Sequence, residues 1–163
     1  MDKEYFKQIA DYNVWANDIA HGWLEKISDE QWQAPIISSF GNIEATVLHI
    51  AGAESIWLER LKKVERPVWL PSTFKGSRKE ILDVWKKTSL GLQSFMQNFD
   101  EKDLTSRIPF KRINGDSYEL ECYQIFAHVF NHSTFHRGQL VTMLRQVGFT
   151  EVGSTDMMGF FRK

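Results

Sequence analysis

Five histidines carry most of the chemistry that this sequence offers: His21, His49, His128, His132 and His136. The last three follow one another at steps of four residues. Four residues advance an α-helix by about 40° beyond a full turn, so these three imidazoles face nearly the same way. With a rise of about 1.5 Å per residue, the first and third stand ~12 Å apart, so one ion can use only two neighbouring histidines. This i, i+4 spacing is typical of two ligands to a zinc-like ion.

The apolar stripe of the same helix favours His132 with His136 as that pair. On a helical wheel both histidines lie in the middle of a stripe that includes Ile125 and Met143. His128 lies at the edge of the stripe. The interior of a helical bundle receives its metal ligands from inward-facing side chains, so the sequence predicts that His132 and His136 point inward.

A third ligand should come from a facing helix. His49 is the candidate, because Ala45 and Ala53 lie one turn to either side and leave room for an imidazole or an ion. His21 is interpreted as a helix-surface residue, next to Gly22. A lone histidine is more often an ordinary hydrogen-bonded polar group. Two imidazoles on a buried face, however, would each need a partner, and one metal ion satisfies both.

Three other chemistries do not fit the residues. A zincin needs His-Glu-x-x-His, but Ser133 follows His132 and no general base lies between the ligands. A ferritin-like di-iron site needs Glu-x-x-His motifs, and the sequence contains none. Cys122 could act as a nucleophile only with a base, and His128, six residues further on, points elsewhere on the helix.

The elements that must position these histidines are helices. Proline interrupts helices, and the four prolines at 35, 67, 71 and 109 lie between long stretches with helical periodicity. Amphipathic helices are predicted over about residues 3–27, 43–65, 77–98 and 121–147. The third begins with a capping box formed by Ser77 and Glu80, and the fourth ends at Gly148, which can adopt a left-handed cap. The fold class is therefore all-α, a four-helix bundle.

Two segments outside these helices have structure of their own. Asn114-Gly115 suits a type I′ turn, so a short β-hairpin is predicted between the third and fourth helices. The tail after Gly148 is rich in Phe and Met. We therefore expect it to pack back on the body of the protein or on a partner chain.

Composition limits the class of protein. The 163 residues and 19.1 kDa fit one domain over residues 1–163. The net charge of -1 argues against a nucleic-acid-binding domain, and no segment reaches the ~18 apolar residues of a membrane span. The single cysteine, Cys122, excludes an internal disulfide and fits a reducing compartment. With no apolar signal core behind Met1, we expect a cytoplasmic protein.

Three segments resemble the DinB-like (DinB/YfiT) metalloenzyme family. The run from Asn131 to Gln139 is similar to the family's hallmark His-x-x-x-His-Arg-Gly-Gln segment. Residues 12–17 are similar to its first-helix pattern, and the segment around His49 to its second helix. The resemblance covers nearly the whole chain. It implies a bundle of variant up-and-down topology, often a homodimer, with one divalent ion, usually zinc or nickel, held by three histidines.

By motif, the metal ligands that the resemblance implies are His49, His132 and His136, the same set that the helical wheel favours. His128 matches a position where relatives often have a histidine that is not usually a ligand. Relatives with known activity transfer low-molecular-weight thiols, as bacillithiol S-transferases and mycothiol-dependent maleylpyruvate isomerase do. The resemblance therefore implies a small-molecule substrate, and a small thiol is the first hypothesis.

Three functions remain open from the sequence. The first is metal-assisted transfer of a small thiol to an electrophile, because a thiol loses its proton on coordination. The second is a metal-dependent hydrolase, and the third is a non-catalytic, metal-stabilised dimeric bundle. Gln139, His128 and Glu54 are the polar groups expected nearest the open side of the ion. Glu54, near the buried side of its helix, could also orient a ligand. Arg137 is interpreted as a solvated surface residue or a dimer salt-bridge partner rather than a substrate contact. No catalytic residue is assigned.

Overall fold

The computed structural model describes residues 2–112 and 115–162. Along these residues seven α-helices follow one another: α1 (Lys3–Leu24), α2 (Asp29–Gln33), α3 (Ile43–Leu61), α4 (Leu70–Thr73), α5 (Arg78–Gln97), α6 (Cys122–Gln146) and α7 (Met157–Phe161). A short 3-10 turn, Glu101–Asp103, and two strands, β1 (Arg107–Lys111) and β2 (Ser117–Glu121), lie between α5 and α6. The four long helices are those that the periodicity predicts. The first two end a few residues earlier than expected.

Side chains fix where the long helices begin and end. The Asn42 side chain accepts a hydrogen bond from the backbone amide of Ala45 at 2.8 Å and so caps the N-terminus of α3. The predicted capping box of α5 is confirmed, since Ser77 and Glu80 each bind the other's backbone amide. Gly148 has φ +84°, the left-handed conformation expected directly after α6.

The four long helices form a bundle in which α1 and α3 each pack against both α5 and α6. The helices α1 and α3 therefore occupy opposite corners, unlike a simple up-and-down bundle, where consecutive helices are neighbours. The fold class predicted from the sequence, an all-α four-helix bundle, is confirmed. The packing of α3 against α6 is the contact that matters for the histidines, because these two helices carry His49, His132 and His136.

The interior contains two apolar clusters, one at each end of the bundle. One includes Trp57 and Phe126, and the other includes Trp85 and Leu140. Between the two clusters each long helix contributes buried polar residues, which are Asn13, Asn17, Glu54, Ser89, Ser133 and Arg137. The histidines on α3 and α6 lie at about the same level along the bundle as this polar layer.

The predicted hairpin is confirmed in its strands. Antiparallel β1 and β2 pair Phe110 with Tyr118 and Ile108 with Leu120. The predicted Asn114-Gly115 turn lies partly outside the described residues, because Asn114 does. The hairpin covers one side of α3, where Phe110 meets the Trp57 ring with centroids 5.0 Å apart.

The apolar tail packs on the body of the protein, which is one of the two alternatives predicted from the sequence. Phe160 of α7 contacts the rings of Tyr12 and Trp15 at centroid distances of 5.9 and 5.6 Å. The Tyr12 hydroxyl also donates to the Thr155 carbonyl at 2.8 Å. None of the helices in the described part of the chain combines the length and apolar composition needed to cross a membrane.

Candidate metal centre

Helices α3 and α6 bring three imidazoles to one point. The Nε2 atom of His132 lies 3.0 Å from Nε2 of His49 and 3.1 Å from Nε2 of His136. One ring nitrogen from each of the three residues lies within 4.8 Å of the others. Bonds of about 2.0–2.1 Å at tetrahedral angles place ligand nitrogens about 3.3 Å apart, so this spacing fits three ligands of one zinc-like ion.

Hydrogen bonding orients one of the rings from behind. Nδ1 of His136 lies 2.7 Å from Oε1 of Gln139. A carbonyl oxygen only accepts, so Nδ1 carries the proton and the lone pair of Nε2 points towards the other two histidines. Gln139 therefore lies behind the His136 ring rather than on the open side of the site, where the sequence placed it. Such a partner fixes the tautomer of a metal-binding histidine.

Hydrogen bonds alone do not satisfy the cluster. His132 Nε2 carries either one proton or one lone pair, yet two other ring nitrogens lie within 3.1 Å of it. Its Nδ1 is buried and has no hydrogen-bond partner among the described residues. A cation at the centre accepts a lone pair from all three Nε2 atoms at once. The donor set therefore fits a divalent ion better than it fits three metal-free imidazoles.

All three imidazoles are neutral near pH 7, the state that binds metals. Burial, together with the nearby His136, lowers the pKa of His49 from 6.5 to about 4. Burial and repulsion from the neighbouring histidines lower the pKa of His132 to about 3. Burial also lowers the pKa of His136.

Aromatic rings pack against the cluster, and a groove opens beside it. Phe40, in the loop before α3, stacks on His49 with ring centroids 4.1 Å apart. Trp69 meets the same imidazole edge-on at 5.6 Å. His49 and His132 also line a cavity of about 730 Å³, together with Trp57 and Trp69. A small molecule in this cavity would lie against the histidine cluster.

The structure separates His128 and His21 from the three convergent histidines. His128 is exposed, with its ring 5.8 Å from that of His132, and it lines the cavity without joining the group of potential ligand atoms. The interpretation of His21 as a surface residue is wrong. It is only 9% exposed, its ring lies 4.6 Å from that of Trp85, and burial lowers its pKa to about 4.

The interpretation of Arg137 as a solvated or dimer-pairing residue is also wrong. This side chain is 1% exposed and points into the centre of the bundle. Its Nη1 donates to Oδ1 of Asn13 at 2.6 Å and to Oδ1 of Asn17 at 2.8 Å. Nη2 donates to Thr134. Arg137 directly follows His136 on α6, and both side chains are buried.

Glu54 is the carboxylate of the same network. It is fully buried and accepts hydrogen bonds from Asn13, Asn17, Ser133 and Ser89. The two asparagines thus bridge the carboxylate to the guanidinium of Arg137. None of these four hydrogen-bond partners is a histidine. Among the described residues, therefore, Glu54 does not orient a metal ligand, and the suggestion made from the sequence is wrong. The polar partners on α1 and α5 were not singled out from the sequence, although Asn13 and Asn17 share one face of α1 at an i, i+4 spacing.

The fold and the site together define a class of protein, a four-helix bundle whose second and fourth long helices bring three neutral imidazoles together beside a groove. The sequence matches the model of the DinB family over residues 1–161, and the chain belongs to that family.

Three relatives illustrate the similarity. The chain is 25% identical to Protein DinB of Bacillus subtilis (strain 168) over 149 residues, which cover 87% of this chain and 86% of that protein. A crystal structure of a DinB-like protein from Bacillus cereus superposes with a TM-score of 0.71 at 22% identity, covering 93% of this chain and 95% of that one. A DinB-like protein from Bacillus subtilis gives a TM-score of 0.68 at 17% identity, covering 91% and 97%. These two structures support the fold.

Proposed function

We propose that the protein binds one divalent metal ion through His49, His132 and His136 and transfers a small thiol to an electrophilic substrate. The observation that carries this proposal is the convergence of three neutral imidazoles beside an open groove. Three neutral ligands leave the ion its full charge and at least one open position. When bound, such an ion lowers the pKa of a thiol that coordinates to it, so that the thiol is deprotonated near neutral pH.

The residues around the site supply orientation and shielding. Gln139 holds the His136 ring in the tautomer that presents Nε2. Phe40 stacks on His49 and lies 5.5 Å from the His136 ring, so it shields this part of the cluster from water. In the groove the indole rings of Trp57 and Trp69 offer apolar faces to the body of a substrate.

In the proposed transfer, the sulfur of the thiol forms a bond to the electrophilic carbon while the bond from that carbon to its leaving group breaks. The thiol proton and the leaving group depart, so the products are a thioether and an acid. No oxidant or reductant is needed. The small thiol and the electrophile are the two substrates.

The lining of the cavity argues against one kind of metal-dependent hydrolase. The lining consists of imidazoles, aromatic rings, aliphatic side chains and guanidinium groups, with no carboxylate among the described residues. Metal-dependent proteases of the His-Glu-x-x-His type use a carboxylate next to the ion as the general base. A coordinated thiol and a coordinated water can both lose their proton on such an ion without this base. Our preference for thiol transfer therefore rests on the resemblance to thiol-transferring relatives.

The proposal is tested with metal-loaded protein, the electrophile chlorodinitrobenzene, and mercaptoethanol or cysteine as the thiol. We expect the electrophile to be consumed faster than in the uncatalysed reaction only when thiol and metal are both present, and chelation to abolish the acceleration. The matched variants are His49→Ala, which should lose both metal and activity, and His128→Ala, which should keep its metal. A rate that does not change on chelation would contradict the proposal. Turnover of ester substrates without any thiol would favour the hydrolase.

Three narrower statements belong to the same proposal. We propose zinc or nickel as the ion, because imidazole suits both. We propose a homodimer and a cytoplasmic location, which rest on the family resemblance and on the single cysteine. Metal analysis, sedimentation and fractionation of the native host address them one by one.

A further inference from the structure

The cavity at the histidine cluster continues into a second cavity over the hairpin. The second cavity has a volume of about 930 Å³. The two share six lining residues: Ile56, Arg60, Trp69, Phe110, Arg112 and Tyr118. They therefore form one elongated groove, with His49 and His132 of the cluster at one end and the hairpin at the other. We refer to this shape as the hairpin groove.

The outer part of the hairpin groove is strongly cationic, although the whole chain has a net charge of -1. Five basic residues line it, Arg60, Lys63, Arg107, Lys111 and Arg112, against one acid, Glu65. Arg107 pairs with Glu119 at 3.4 Å. None of the ion pairs between described residues includes the other four cations. Positive charge that is not neutralised within the protein is therefore concentrated in a concave surface, where it attracts anions.

Arg60 is held in place at the centre of the groove. Its guanidinium lies over the Trp57 ring at 4.5 Å and over the Phe110 ring at 4.8 Å. Nη2 donates to the Lys111 carbonyl at 2.9 Å. The side chain is half-buried, and burial lowers its pKa. An arginine fixed by stacking loses little freedom when it binds a ligand, and its remaining N–H groups are still available.

Arg112 adds a second guanidinium on the same wall. It lies over the Tyr118 ring at 5.7 Å and, like Arg60, lines both parts of the groove. The path from the histidines to these cations is lined with rings. His132 is followed by His128 at 5.8 Å, and His128 by Trp57 at 5.3 Å. A molecule that reaches both ends must therefore be elongated and apolar or aromatic in its middle.

We propose that the hairpin groove binds an elongated substrate whose apolar or aromatic body lies against Trp57 and Phe110 and whose oxyanionic end is bound by Arg60 and Arg112. The opposite end of the substrate reaches the histidine cluster, and this part of the inference rests on the proposed function. Guanidinium groups bind carboxylates and other oxyanions through paired, charge-assisted hydrogen bonds. The reaction at the metal centre would then be selective for anionic substrates.

The test is calorimetric binding of two matched probes to the zinc-loaded protein, biphenylcarboxylate and the neutral biphenylmethanol. We expect the carboxylate to bind about tenfold more tightly or better, because a hydrogen bond to a charged group contributes more than one to a neutral group. The preference should shrink as ionic strength rises. Arg60→Gln and Arg112→Gln should each reduce it. The matched control is Arg145→Gln, an exposed arginine on α6 outside the groove, which should leave it unchanged.

Each outcome decides the proposal. Equal affinity for the two probes, no binding of either probe, or a preference that survives both arginine changes would overturn it. Arg112→Gln removes an exposed side chain, so it remains informative if Arg60→Gln fails to fold, which circular dichroism will show. A carboxylate preference without thiol transfer would refute the proposed function and leave the groove in place. Thiol transfer without a carboxylate preference would support the proposed function and refute anion binding in the groove.

Discussion

Helices α3 and α6 contribute to two polar clusters at about the same level along the bundle. The first is the group of His49, His132 and His136 beside the groove. The second is the buried network in which Asn13 and Asn17 connect Glu54 to Arg137. Both clusters place polar side chains among apolar ones. On α6, His136 of the first cluster directly precedes Arg137 of the second.

The two clusters differ in how far hydrogen bonds satisfy them. Glu54 accepts four hydrogen bonds from three helices, and the guanidinium of Arg137 meets two asparagine oxygens, although its Nε has no partner among the described residues. In the histidine cluster, ring nitrogens face one another. A nearly satisfied polar cluster fixes the packing of the helices, whereas converging lone pairs are a binding site for a cation.

The largest expected effect is on stability, from breaking the network. Arg137→Met leaves the Glu54 carboxylate buried without its compensating charge. The free energy of unfolding should fall by about 3–5 kcal/mol in urea denaturation. The double variant Glu54→Met, Arg137→Met removes both charges and should recover part of the loss. A single variant as stable as the wild type would show that the network does not hold the bundle together.

The next effect is on metal affinity, from breaking the histidine cluster. His132→Ala removes the central ligand, and zinc affinity should fall by more than about 100-fold, since even outer partners of such ligands change it by 10–100-fold. The metal-free variant should lose little stability relative to the metal-free wild type. The half-buried ring makes at most one hydrogen bond there, and its Nδ1 has no partner among the described residues. A competition titration measures the affinity. Undiminished zinc binding would remove His132 from the site.

A variant of His21 tests whether a histidine with a lowered pKa is necessarily a metal ligand. Its folded pKa of about 4 lies below the ordinary 6.5, so the unfolded chain binds a proton that the folded protein excludes. Stability from this residue is present above pH 6.5 and is lost as pH falls through about 4. His21→Phe should therefore reduce the acid-induced loss of unfolding free energy by about 2–3 kcal/mol and leave metal content unchanged. The measurement is urea denaturation across that range of pH.

A variant of Gln139 distinguishes a residue that orients a metal ligand from a residue that is itself a ligand. Gln139→Ala removes the partner of His136 Nδ1, and zinc affinity should fall by about tenfold, the lower end of such effects. Zinc should still bind at one ion per chain in direct titration. A loss as large as that of His132→Ala would place Gln139 among the ligands, and no loss at all would remove its orienting role.

The smallest effect is expected for His128, the histidine that shares the ladder but not the cluster. His128→Gln should leave metal content and stability unchanged within experimental error, because the His128 ring lies in the groove and is exposed. Substrate affinity is the quantity it could change. A lower zinc content in elemental analysis would show that the helical ladder, rather than the convergence with α3, defines the site.

The sequence predicted the histidine cluster because the periodicity of one helix fixes which of its side chains share a face. The i, i+4 spacing and the apolar stripe separate His132 and His136 from His128. The alanines around His49 mark the position where a facing helix leaves space. These signals are local, and helical geometry converts them directly into a site.

The sequence analysis failed for Arg137 and Glu54, because the fate of a charged side chain depends on what faces it from other helices. Arg137 was expected at the surface, as arginine usually is, and nothing within its own helix indicates the two asparagines on α1 that bind it. The cationic groove likewise depends on the hairpin meeting α3. Such long-range contacts follow from the packing of the helices, not from any single segment.

X-ray absorption spectroscopy at the zinc edge of the zinc-loaded protein tests the central claim most directly. It should show one zinc ion per chain with three imidazole nitrogens at about 2.0–2.1 Å, and fewer imidazoles in the His49→Ala variant. Zinc with two or fewer imidazoles in the wild-type protein, or a spectrum that His49→Ala does not change, would contradict the account.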